Sequence, residues 1–136
     1  MTDCGLCRPA GDEYRRPIAG LAVSTLFLKR DQRYRGACVL VYAAGHVASI
    51  DRLSADAFDA AMRDLHRAAR AVVAAVAPDH VNYLSLGNVV PHLHWHIVPR
   101  YRDDGRWGRA TGDEPEVRLP DAEADALAAA IGRALA

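Results

Sequence analysis

The chain has 136 residues. That is the length of one domain, and it is long enough to bury roughly two thirds of the surface exposed when unfolded, so a core needs no disulfide staples. Apolar residues make up 51% and charged residues 25%, which excludes global disorder. Seventeen basic residues balance seventeen acidic ones, so there is no bulk electrostatic case for a nucleic-acid or anionic-membrane partner. No segment has the length and apolarity of a membrane span. The start, MTDCGLCRPAGDE, lacks the basic and apolar regions of a signal peptide. Cys4, Cys7 and Cys38 without an export signal read as free thiols or metal ligands in a reducing compartment, so the expected location is cytoplasmic. Lys29 is the only lysine beside sixteen arginines, and with 26 alanines this reads as coding bias.

In chain order, the stretch to Gly20 is rich in glycine and proline and is expected to be irregular. Leu21 to Lys29 has the β-branched and aromatic content of a strand. Asp31 to Gly36 is a polar turn, and Ala37 to Tyr42 a second, more fully buried strand. Ser54 opens a long helix that Pro78 ends. Its apolar stripe is Phe58, Met62, Leu65, Ala69, Val72, Val73 and Val76, with Asp59, Arg63, Arg67 and Arg70 off it. Val81 to Leu86 reads as a third strand, Gly87-Asn88 as a turn, and His92 to Val98 as a fourth strand closed by Pro99. Asp103 to Pro120 is loop, and Asp121 caps a second helix with Leu127, Ile131 and Leu135 at steps of four. The order predicts an α+β fold, an antiparallel-rich sheet with helices to one side, in a single domain over residues 1–136.

The most informative residues are His92, His94 and His96. Alternation along a strand places all three on one face, with Leu93, Trp95 and Ile97 packed into the core on the other. Stability does not explain three imidazoles in a row, because each would need partners if buried. Two chemistries use such a row. One is a metal site with all three as ligands. The other is nucleophilic catalysis, in which one neutral imidazole attacks and its neighbours position it and the substrate. Spacing alone leaves both open. Cys4-Gly5-Leu6-Cys7 has the spacing of half a zinc site, whereas a redox pair belongs between a strand and a helix N-terminus. Cys38, inside a strand, reads as a small core hydrophobe, and His66 and His80 carry no assigned role. Trp95 reads as packing, and Arg100 and Arg102 as phosphate contacts or surface charges.

The run HLHWHIVPR, His92 to Arg100, resembles the histidine triad signature followed by the Pro-Arg common in that family's hydrolase branch. The upstream run GACVLVYAAGHVASIDRLS is similar to the family's strand, loop, histidine and helix entry. The resemblance covers roughly Cys4 to Tyr101. It implies a sheet of about five strands with two helices, continued across a homodimer, and hydrolases or transferases that act at the α-phosphate of a nucleotide. Carried over, His94 is the nucleophile that forms a nucleotidyl-histidine intermediate, and His96 contacts the phosphate and leaving group. Cys4, Cys7, His46 and His92 match a structural zinc set found in several branches, which would make residues 1–20 a zinc-binding arm preceding the sheet. Residues 103–136 form the C-terminal loop and helix.

The chain departs from the family in two places. Gly36-Ala37-Cys38 lacks the fourth histidine that usually follows the glycine, and Gly87-Asn88-Val89-Val90-Pro91 shortens the glycine-rich turn. Both bear on the leaving group and the substrate range. Asn82 and Asn88 remain as amide contacts to phosphate or ribose, and Asp31 as a ligand of ribose hydroxyls. The expected function is hydrolysis of a nucleotide phosphoanhydride or phosphoramidate, a dinucleoside polyphosphate foremost. The alternatives are a nucleotidyltransferase or phosphorylase with the same intermediate, a non-catalytic nucleotide-binding scaffold, and an enzyme with His92, His94 and His96 on one metal.

Overall fold

A computed structural model describes residues 4–112 and 114–136; residues 1–3 of the expected arm and residue 113 of the expected loop lie outside the described residues. Strands β1 (Arg15–Gly20), β2 (Ser24–Lys29), β3 (Cys38–Tyr42), β4 (His80–Leu84) and β5 (His94–Arg100) form one antiparallel sheet in the order β1-β2-β3-β5-β4. Helices α1 (Ala55–Val76) and α2 (Asp121–Ala134) complete the α+β fold. No described helix is long and apolar enough to cross a membrane.

The sequence reading missed β1. Its run RRPIAG has neither strict alternation nor an unbroken apolar character, and register shifts between Pro17 and Ala19. Pairing with β2 makes it a strand, and an edge position tolerates both the proline and the shift. The strand expected from Leu21 begins at Ser24, because Leu21 N–H bonds Ser24 O at 2.7 Å and closes the β1–β2 turn. That turn is held by Asp64, a buried carboxylate on α1. It accepts N–H bonds from Ala22 at 3.2 Å and Val23 at 2.8 Å. The strand before the triad spans His80 to Leu84 rather than Val81 to Leu86.

Pro99 does not end β5. It pairs with Val81, and the strand runs on to Arg100. The β3 ladder reaches only Ile97, so Pro99 lies where one flank of β5 is already unpaired. His92 and Leu93 precede the strand, although Tyr42 N–H bonds Leu93 O at 3.0 Å and continues the contact.

The core lies between one sheet face and the helices. It contains Leu26, Leu28, Cys38, Leu40, Tyr42, Val81, Leu93, Trp95 and Ile97 from the sheet side, with Val72, Leu127 and Ile131 from the helices. Cys38 and Trp95 therefore pack as expected, and burial pushes the Cys38 thiol well above the usual range. On α1 the most buried positions are Ala61, Asp64, Ala68, Ala69, Ala71 and Val72. Phe58 and Val73 are exposed. Small side chains let α1 lie close to the sheet; of the expected stripe Met62, Leu65, Val72 and Val76 pack on the core, and Phe58 and Val73 fall on its flank. Ser54 caps α1 as expected, its Oγ accepting from Ala57 N–H at 3.2 Å. At α2 the cap position is Pro120, and Asp121 is the first helical residue.

Candidate active site and metal centre

The opposite sheet face carries His94 and His96. Alternation puts Phe27 and Lys29 of β2, Val39 and Val41 of β3, and His94, His96, Val98 and Arg100 of β5 on this face, and Val39 pairs with His96. A cavity of about 470 Å³ opens here, lined by His94, His96, Lys29, Arg15, Asn88 and residues of the N-terminal arm.

The three histidines have separate surroundings. His92 is buried, and its Nε2–H donates to Tyr42 O at 2.7 Å. That carbonyl fixes the tautomer, leaving Nδ1 with its lone pair. Nδ1 faces Cys4 Sγ at 3.5 Å, Cys7 Sγ at 3.4 Å and His46 Nδ1 at 3.1 Å. Cys7 Sγ is also 3.4 Å from His46 Nδ1. Burial holds the His92 pKa below its ordinary value, against the pull of the Tyr42 carbonyl.

The four donor atoms lie within 4.8 Å of one another. A tetrahedral zinc with bonds of about 2.0–2.3 Å sets its nitrogen and sulfur ligands about 3.3–3.8 Å apart; the three sulfur–nitrogen separations of 3.4, 3.4 and 3.5 Å fall in that range, and the 3.1 Å between the two imidazoles is slightly shorter. Two thiols and two imidazoles, one with its tautomer already fixed, suit that ion chemically. The structure does not group His92 with His94 and His96, so it gives no support to one metal on all three.

His94 is also buried, and its Nδ1–H donates to His92 O at 2.6 Å. The lone pair is thus on Nε2, in a residue that lines the cavity. His96 stands beside it, ring centroids 5.0 Å apart at 83°. Burial, then the positive charge of Lys29 and His94, pushes the His96 pKa down to about 4, and its Nδ1 has no partner among the described residues. Between that value and the ordinary 6.5 of the unfolded chain, the unfolded state binds the additional proton. This contribution to stability is therefore complete above about pH 6.5 and is lost as pH falls toward 4. Urea midpoints measured from pH 7 to pH 4 should fall less steeply for His96→Gln than for the unsubstituted chain; parallel profiles would refute the assignment.

The remaining expected contacts divide. Asn88 lines the cavity with His94 and His96. Asp31 lines an adjoining cavity of about 280 Å³ that shares Lys29 and His96. Its carboxylate accepts Arg33 Nε at 2.6 Å and Nη2 at 2.5 Å. Burial acts to raise its pKa, but the Arg33 guanidinium and the N–H groups of Val117 and Arg33 hold it below the usual range. Asn82 is not brought to either cavity: its Oδ1 accepts Arg100 Nη1 at 2.6 Å. Arg100 is neither a phosphate ligand nor a surface charge. It is buried and ties down the C-terminal loop through Arg106 O at 2.7 Å and Arg109 O at 2.8 Å.

Two residues of the site were missed from sequence. Arg15, buried over the Phe27 ring, donates to Gly5 O at 2.6 Å and Arg8 O at 3.2 Å, fixing the cysteine-bearing arm to the sheet. Lys29 was dismissed with the arginine bias, although its even spacing from Phe27 carries the signal that it shares the histidine face. Ala37, in the stretch where the fourth histidine is absent, is buried against Tyr34 and Val98.

Such a site defines a class in which one imidazole of a triad is oriented by a backbone carbonyl at a cavity and another faces a thiol-rich cluster. Residues 20–103 match the HIT domain, and the chain belongs to the histidine triad family. A histidine triad protein from Bradyrhizobium japonicum has a similar structure, with 26% identity and a TM-score of 0.84 over 91% of this chain and 92% of that one. One from Marinobacter aquaeolei shares the fold at 20% identity, TM-score 0.81, over 90% and 89%. A zinc-bound histidine triad family protein from Mycobacterium smegmatis does so at 23%, TM-score 0.70, over 98% and 93%. No curated protein matches the chain in sequence. Family membership supports nucleotide-directed chemistry of the hydrolase or transferase kind.

Proposed function

We propose that the chain hydrolyses a nucleotide phosphoanhydride or phosphoramidate at the α-phosphate, with a dinucleoside polyphosphate as the foremost substrate. The observation that carries this reading is the 2.6 Å bond from His94 Nδ1–H to His92 O, which holds an unprotonated Nε2 at a cavity of nucleotide size. Nε2 attacks the α-phosphorus in line, the bond to the leaving group breaks, and a nucleotidyl-histidine forms. Water then attacks phosphorus and restores the free imidazole. His96 contacts the phosphate at the same face, Asn88 supplies an amide to it, and Asp31 lies where ribose hydroxyls bind.

Cys4, Cys7, His46 and His92 would hold one zinc ion. The donor set supports this, as does the zinc-bound neighbour. The ion's contribution is structural, tying the arm to the segment that carries the nucleophile. The functional unit is a homodimer. The β4 edge with its half-exposed Tyr83, and the flank of α1 with Phe58 and Val73, are surfaces a second subunit would cover. Light scattering at micromolar concentration should give twice the chain mass, and a monomeric mass would count against it.

The reaction is tested with diadenosine triphosphate in ¹⁸O-labelled water. Hydrolysis through the intermediate puts one label in the adenosine monophosphate produced. Transfer to added inorganic phosphate, yielding two molecules of adenosine diphosphate and no adenosine monophosphate, would instead make the chain a phosphorylase.

A further inference from the structure

The histidine face carries one cation that the reaction above leaves without a task. Lys29 closes β2, with Arg15 opposite it on β1, and alternation from Phe27 turns its side chain to the side of Val39 and His96. It lines both the cavity of His94 and His96 and the adjoining cavity of Asp31 and His96. The strand end is fixed: Lys29 N–H bonds Ala37 O at 3.1 Å, and the buried Gln32 donates to Lys29 O at 2.8 Å. Burial holds its pKa below the ordinary value.

Among the described residues Lys29 has no ion-pair partner within 4.0 Å and its ammonium donates no hydrogen bond. The nearest candidate, Asp31, is engaged by Arg33 and by the N–H groups of Arg33 and Val117. A partly buried ammonium kept from its neighbouring carboxylate is costly unless something anionic arrives to meet it.

We infer that Lys29 binds the phosphate that leaves the α-phosphorus, so that the chain prefers phosphoanhydrides to phosphoramidates; this deepens the hydrolase reading and rests on it. The two leaving groups make different demands. In anhydride cleavage the Nε2 lone pair forms the N–P bond, the P–O bond to the bridging oxygen breaks, and that oxygen keeps the electron pair. The departing phosphate gains a negative charge and needs a cation, which Lys29 supplies without giving up a proton. In phosphoramidate cleavage the nitrogen leaves as an amine and needs a proton. His96, neutral at physiological pH in this setting, has none to give. Water finally breaks the P–N bond to His94 and its surplus proton passes to solvent.

The test compares kcat/KM for diadenosine triphosphate and adenosine 5′-phosphoramidate in the full chain, Lys29→Met, Lys29→Arg and His94→Asn. The unsubstituted chain should favour the anhydride at least about tenfold. Lys29→Met should lower the anhydride value by about the size of that preference, leave the phosphoramidate value unchanged and so erase the preference, and Lys29→Arg should restore most of it. Loss of the preference with an unchanged melting temperature separates this role from a structural one. A chain that favours the phosphoramidate, or a Lys29→Met variant that keeps the anhydride rate while His94→Asn is inert, would overturn the role of Lys29 and leave the hydrolase standing. A chain inert on both substrates would remove the hydrolase reading itself and this inference with it.

Discussion

His94→Asn should lower turnover by several orders of magnitude while leaving the fold intact, because in the proposed reaction the covalent intermediate forms on its Nε2. Asparagine is smaller and polar, and its amide can still donate toward His92 O, so the backbone arrangement that orients position 94 survives. What is lost is the Nε2 lone pair. His96→Ala should cost less, on the order of a hundredfold, because its proposed role is to contact the phosphate without bonding to it. Acid quenching of the unsubstituted chain during turnover, followed by mass mapping, should place a nucleotidyl adduct on His94. Near-normal turnover in His94→Asn, or an adduct elsewhere, would refute the assignment.

Cys4→Ala should abolish stoichiometric zinc binding and lower the melting temperature by about 10 °C. The thiol is one of four donors, and three ligands hold the ion far more weakly than four. Among the described residues none before Ile18 packs on the core between sheet and helices, so the chain should still fold. The loss falls on the arm and on the ordering of His92. His92→Ala should act the same way, mainly through stability. Acidification should release the metal, since thiolates and neutral imidazoles take up protons in its place. Elemental analysis of protein purified without chelators should find about one zinc per chain; stoichiometric absence of metal would overturn the centre.

The readable parts of this chain were those in which local pattern and tertiary role coincide. The HLHWH run announced its two faces by alternation alone, and Trp95 and Ile97 are buried against the helices while His94 and His96 line the cavity. Cys4, Cys7, His46 and His92 converge although the sequence holds them far apart; the family resemblance grouped them, and no spacing rule joins all four. The unreadable parts were those that neighbours decide. β1 is a strand because β2 offers it a ladder, and RRPIAG carries no period of its own. The most buried positions of α1 are mostly alanine, which a search for large apolar residues passes over in favour of Phe58 and Val73. Asp64 gave no sign that it holds a turn on another element. Asn82 looked free for a substrate until Arg100 was placed beside it. Lys29 was legible by parity but was read as composition.

The strand order has a consequence for how the chain assembles. β1, β2 and β3 follow one another and pair with sequence neighbours, as do β4 and β5, so each group closes short loops. Only the β3–β5 ladder, from Cys38↔Ile97 to Val41↔His94, joins the two groups, and it does so across the whole of α1 and β4. Closing that long loop carries the largest chain-entropy cost among the ladders of the sheet. Lys29 and Asp31 belong to the first group, His94 and His96 to the second. The cavity face that brings His94 and His96 to Lys29 therefore does not exist in either half and comes into being when the two halves dock.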